Sequence, residues 1–126
     1  MYKNSAEMEK QNVIIDKSRK FSIRIIKLYK YLSQEKREFV MSKQVLRSGT
    51  SIGANIAEGH WAPSSADFYA KLGISLKEAS ETEYWLYLLH ETGYVDSKAY
   101  DSIYADCVEL IKILTAILKN RLQPKR

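Results

Sequence analysis

Glu58 and Glu78 come nearest to residues that could do chemistry. Each lies in a helical stretch rich in small side chains, where a carboxyl group could be buried, and a buried acid with a shifted pKa is a starting point for general acid–base catalysis. No nucleophile, metal cluster or paired base stands near either in sequence. His60 and His90 are thirty residues apart, and neither has a second ligand at the i, i+4 spacing that places two side chains on one helical face. Cys107 sits in an apolar helical run and reads as a small buried hydrophobe. Gly49 and Gly53 lack the Gly-Lys-Ser or Gly-Lys-Thr ending that holds a nucleotide phosphate. The expectation is a protein without catalytic residues, cofactor or metal, in which Glu58 and Glu78 serve packing and capping and Asn55 is a buried amide that satisfies neighbouring polar groups and fixes helix register.

A second chemistry, attraction for anions, has better support. Lys17, Lys20, Arg24 and Lys27 recur on one side of the first helical stretch, and Tyr31 continues the line. Cations at this spacing can follow phosphates while a tyrosine offers a stacking face, which fits nucleic acid without sequence readout. The competing reading is a solvated basic face balanced by acids elsewhere. Twenty Lys and Arg against 15 Asp and Glu give a formal charge of +5, consistent with an anionic partner. Arg121, Lys125 and Arg126 add positive charge near the C-terminus.

These residues need helices to position them. Five Gly and two Pro in 126 residues are too few for a many-stranded β fold, and the length suits one domain. Apolar periodicity predicts an all-α chain with helices over about 13–33, 38–58, 64–92 and 97–122. The first carries a broad apolar stripe through Ile14, Phe21, Ile25, Leu28 and Leu32, and the turn after it lacks Gly and Pro. The second is predicted to stop at Gly59 in a left-handed conformation. Its internal glycines, Gly49 and Gly53, each cost about 1 kcal/mol relative to Ala and so call for close packing against a neighbour. In an antiparallel hairpin, Ser48 and Ser51 would face Ser75, and glycines and serines of one helix would meet serine and alanine of the other. Ser64 with Asp67 is expected to start the third helix, Gly93 to end it, and Asp96 or Ser97 to cap the fourth.

The apolar arc of the fourth helix covers about 220°, more than a bundle helix with a solvent face needs. Self-association is the expectation, with Trp85, Ile113 and Ile117 at the interface. The N-terminal ten residues are polar and no apolar run reaches the roughly 18 residues that span a bilayer, so a cytoplasmic protein without membrane contact is expected.

The run Ser51-Ile52, Asn55-Ile56-Ala57-Glu58-Gly59, together with Ser75-Leu76-Lys77-Glu78 and Glu81-Thr82-Glu83, resembles the 23S rRNA-intervening-sequence family of four-helix-bundle proteins. The likeness extends over most of the chain. It implies an up-down antiparallel bundle assembling into a ring-like homopentamer, and a relationship to the accessory protein of diversity-generating retroelements. It carries no catalytic residues, so Ser48, Ser51, Ile52, Asn55, Glu58, Gly59, Ser75 and Glu78 transfer as structural positions. The chain departs from the family pattern in lacking a proline before the second helix and in having Gly73-Ile74 ahead of Ser75. The resulting expectation is a non-enzymatic oligomeric scaffold that binds RNA, or a nucleic-acid-handling protein, through basic surfaces. The alternative is an assembly module that contacts only protein.

Overall fold

The computed structural model describes the backbone of residues 5–122 and the side chains of residues 8–121. Four helices account for nearly all of it: α1 (Ser5–Gln34), α2 (Met41–His60), α3 (Ser65–Glu91) and α4 (Ser97–Leu122), with no strand among the described residues. Each helix packs against two others, α1 and α3 both against α2 and α4, so the four enclose one core. Ion pairs fix the register. Lys71 meets Glu58 while Arg47 meets Glu78 and Glu81, and Lys17 meets Glu109 while Arg24 meets Asp106, so partner positions fall along one helix as they rise along the next.

The core follows the predicted stripes. Ile14, Phe21, Ile25 and Leu32 from α1 meet Val45, Ile52 and Ile56, then Leu72, Leu86 and Leu89, then Leu110 and Leu114, all buried. Burying one such side chain contributes about 1.5–3 kcal/mol, so the stripes dominate stability. The fourth-helix arc turns inward to a larger degree than its width implied. Ile117 is buried in the chain's own core, and Ile111, Ile113 and Leu118 are half-buried against it. The uncovered large hydrophobes lie elsewhere among the described residues, on α1, α3 and two connections, and include Ile23, Ile26, Tyr31, Phe39, Val40, Trp61, Ile74, Tyr84 and Tyr87.

Two predicted boundaries are corrected. Helix α1 begins eight residues before position 13, because Ser5 to Gln11 supply Ala, Glu, Met, Lys and Gln, whose intrinsic preference extends a helix beyond its apolar stripe. Helix α2 starts at Met41 rather than 38, since residues 38–40 form its cap, and it runs through Gly59 to His60. Gly59 is helical, not left-handed: the positive-φ glycine among the described residues is Gly93, at 85°. What Gly59 permits is contact, because a Cβ there would lie 3.2 Å from Lys71 Cβ. Gly93 ends α3 as expected, Ser64 accepts from the Asp67 amide at 3.1 Å, and Asp96 caps α4 by accepting from the Ala99 amide at 2.8 Å.

The small residues of α2 do allow close approach, but to two helices. A Cβ at Gly49 would stand 2.8 Å from Ile25 Cγ1 and Cγ2, and one at Gly53 would stand 3.1 Å from Ser22 Oγ. Both glycines therefore serve the contact with α1, not the expected contact with α3. The serines serve α3: Ser75 Oγ donates to the Ile52 carbonyl at 2.8 Å, and Thr82 Oγ1 lies 2.9 Å from Ser48 Oγ. Ser51 and Asn55 turn back to their own helix, donating to the carbonyls of Arg47 and Ser51. Asn55 thus sets no register between helices.

Candidate nucleic-acid interface

The two glutamates with catalytic potential are each held by a cation. Glu58 is largely exposed and 3.3 Å from Lys71 Nζ, while Glu78 is mostly covered and 3.2 Å from Arg47 Nη1. Arg47 also bonds Glu81, which holds the guanidinium firmly protonated; Glu81 lies below the usual carboxylate range because Trp85 Nε1 donates to it at 3.1 Å and Arg47 adds a second donor. Trp85 is accordingly half-buried and bonded within its own chain. His60 stands edge-on to Trp61, and His90 stacks on Tyr100 at 4.3 Å with Nε2 3.1 Å from Ser97 Oγ. Cys107 is buried and donates to the Ala79 carbonyl at 3.4 Å, and its thiol is pushed up to about 12 by loss of water around the thiolate. Among the described residues no three potential metal ligands converge, and no helix is long and apolar enough to cross a membrane.

The basic stripe divides in two. Lys17 Nζ lies 3.0 Å from Glu109, Lys20 Nζ 3.1 Å from Asp16, and Arg24 Nη1 2.6 Å from Asp106, with Arg24 Nη2 also donating to Ser102 at 3.0 Å. Lys17 and Arg24 thus bridge to α4, and their charge is largely balanced in place. Lys27 makes no ion pair among the described residues, and Tyr31 beside it is exposed. On a helical wheel these five residues share one side. The wheel cannot show that acids on α4 approach the first half of the stripe and leave the second half open.

Beyond Lys27 the open charge continues through residues that helical spacing alone does not single out. Lys30, Lys36, Arg37 and Lys43 are exposed and form no ion pair among the described residues. Only two acids, Glu35 and Glu38, fall between positions 27 and 43, and Glu38 is turned inward. Its Oε2 accepts from the amides of Val40 and Met41 at 3.2 and 3.1 Å, and its Oε1 from Ser42 at 2.7 Å; Ser42 Oγ returns a bond to the Glu38 carbonyl at 2.7 Å. That carboxylate satisfies the amides that open α2 and sits at the positive end of its dipole. Its charge is thereby withdrawn from the surface.

The connection between α1 and α2 closes without glycine. The Lys36 amide returns to the Tyr31 carbonyl at 3.2 Å and the Glu38 amide to the Leu32 carbonyl at 2.9 Å, a reversal that needs a left-handed residue. Arg37 supplies it, with φ 55°, at a cost of about 1 kcal/mol or more for a residue with a Cβ. With Glu38 anchored inside, Phe39 and Val40 are held outside, 48% and 72% exposed. Arg37 lies over the Phe39 ring at 5.6 Å and Lys36 over the Tyr31 ring at 5.9 Å. The signal available in the sequence was the interleaving itself: Lys27, Lys30, Tyr31, Lys36, Arg37, Phe39 and Lys43. Lys125 and Arg126, which also contributed to the expected basic surface, lie outside the described residues.

Comparison with known proteins agrees with the recognised motif. The family described as 23S rRNA-intervening sequence protein matches residues 10–116. A crystal structure from Bacteroides thetaiotaomicron, described as a protein with unknown function from the S23 ribosomal protein family, is 58% identical to this chain. The match has a TM-score of 0.86 and covers 87% of this chain and 98% of that one. No curated protein matches. The motif in α2, its partners in α3 and a family match spanning all four helices together place this chain in the 23S rRNA-intervening sequence protein family.

Proposed function

We propose that this protein is a non-enzymatic helical scaffold, an up-down bundle that assembles into a ring-forming homo-oligomer and binds RNA through open basic surface. Five copies is the number implied by the resemblance. The observation that supports RNA binding is the group of exposed, unbridged cations Lys27, Lys30, Lys36, Arg37 and Lys43. Lys17 and Arg24, which the sequence made equal candidates, act in this reading as struts between α1 and α4. Binding is electrostatic and indifferent to base sequence, because the cations project from a helix end and a connection with no groove-reading element.

The test is retention of RNA by the intact protein across a salt series. If the five cations meet phosphates of a flexible strand, affinity falls about a hundredfold between 50 and 200 mM monovalent salt. No retention at the lower salt would overturn the reading. Mass measurement in solution tests the assembly separately, and a monomer would remove the ring. One observation favours the alternative of a purely protein-contacting module: Trp61 is 83% exposed beside Ile74 and Pro63 in a shallow groove of about 630 Å³. Capture of a protein partner that survives nuclease and is lost in Trp61→Ala would support that module.

A further inference from the structure

We infer that the α1–α2 connection is a stacking platform for single-stranded nucleic acid, with Phe39 and Tyr31 receiving bases while Lys36, Arg37 and Lys43 hold the backbone. This rests on the RNA-binding reading and goes beyond it, because it names the form of nucleic acid and the residues that select it. Unpaired bases offer open π faces, whereas the bases of a duplex are stacked on one another and unavailable to a protruding ring.

Three features of the connection point the same way. Phe39 and Tyr31 are large rings left about half in water at one end of the bundle, where they contribute little to the core. Each already has a cation near its face, Arg37 at 5.6 Å and Lys36 at 5.9 Å, so a phosphate drawn by the cation brings its base to the ring. The backbone is also rigid where it must present them. Three amides converge on Glu38, and Arg37 holds a left-handed φ of 55° that glycine would adopt more cheaply. The arginine there supplies a charge that glycine could not. Glu35 is the exposed acid of this segment, and it limits the platform's net charge.

The experiment compares a labelled 12-nucleotide oligouridylate with a 12-base-pair RNA duplex, by fluorescence anisotropy on the full chain. Stacking of a base on an aromatic ring carries a sizeable share of single-strand affinity, so Phe39→Ala should weaken single-strand binding about tenfold, leave duplex binding within about twofold, and keep the salt slope unchanged. Phe39→Tyr, which keeps the ring, should restore affinity; Phe39→Leu, which keeps only bulk, should not. Circular dichroism of each variant guards against misfolding, and Tyr31→Ala provides a second, independent loss. The platform is overturned if Phe39→Ala binds both ligands as the parent does, or loses both equally. If the parent binds neither ligand at low salt, the RNA reading fails and the platform with it. A parent that binds duplex and single strand alike, with no change in Phe39→Ala, removes the platform alone.

Discussion

The two seams that flank α1 are built from opposite materials. On the α2 side, Gly49 receives Ile25 and Gly53 lies against Ser18 and Ser22, so the backbones come close. On the α4 side, Lys17 and Arg24 reach across to Glu109, Asp106 and Ser102 at the rim, with side chains still 38–50% exposed. Packing of small residues is worth kilocalories that salt cannot screen, whereas exposed ion pairs contribute about 0–1 kcal/mol and weaken with ionic strength. The difference has a functional side. Acids of α4 pair Lys17 and Arg24 and Asp16 of α1 pairs Lys20, so the unpaired charge of this stripe lies at its C-terminal end, at Lys27, and continues into the connection beyond.

The largest effect is expected at the close seam. Gly49→Val places branches where Ile25 already stands, and should destabilise the fold by about 3 kcal/mol, read from urea denaturation. A stability equal to the parent's would show that the approach is looser than 2.8 Å implies. The seam between α3 and α4 carries a pH signature. Cys107 titrates near 9.0 unburied and near 12 in the fold, so its contribution is complete below pH 9. Above that the unfolded chain sheds the proton first, and stability falls by up to about 1.4 kcal/mol per pH unit until about pH 12. The burial of Tyr100 and the Tyr104 bond to Glu83 raise both phenols and act in the same alkaline range, so the difference between parent and Cys107→Ala isolates the thiol.

Thr82→Val keeps the shape at the α2–α3 contact and removes the hydroxyl that meets Ser48, for a loss of about 1 kcal/mol. Arg24→Ala should cost only about 0.5 kcal/mol, and that difference should vanish in 1 M salt, where the Gly49→Val penalty persists. An Arg24→Ala loss as large as that of Gly49→Val would abolish the distinction between the seams.

Much of this architecture was legible in the chain. The 3.6-residue periodicity located all four helices, and Ser64, Gly93 and Asp96 marked ends because their local chemistry acts over three residues or fewer. What escaped depended on partners distant in sequence. The side of α2 that Gly49 and Gly53 serve is decided by α1, and the fate of Lys17 and Arg24 by acids some eighty to ninety residues further on. Gly73 illustrates the limit from the other direction: it is a helical glycine with nothing within 4 Å of where a Cβ would stand, indistinguishable by type from Gly49. The α1–α2 connection was obscure because its two usual markers are missing. An arginine takes the left-handed position, and a glutamate caps from outside the helix.

The division of the α1 cations is tested most directly by RNA binding across a salt series for two double variants, Lys27→Ala with Lys30→Ala and Lys17→Ala with Arg24→Ala. The open pair should lose affinity and flatten the slope of log K against log salt by about 1.4, near 0.7 for each lost single-strand phosphate contact; the bridged pair should bind within twofold of the parent at an unchanged slope. Equal losses in the two variants would contradict the account.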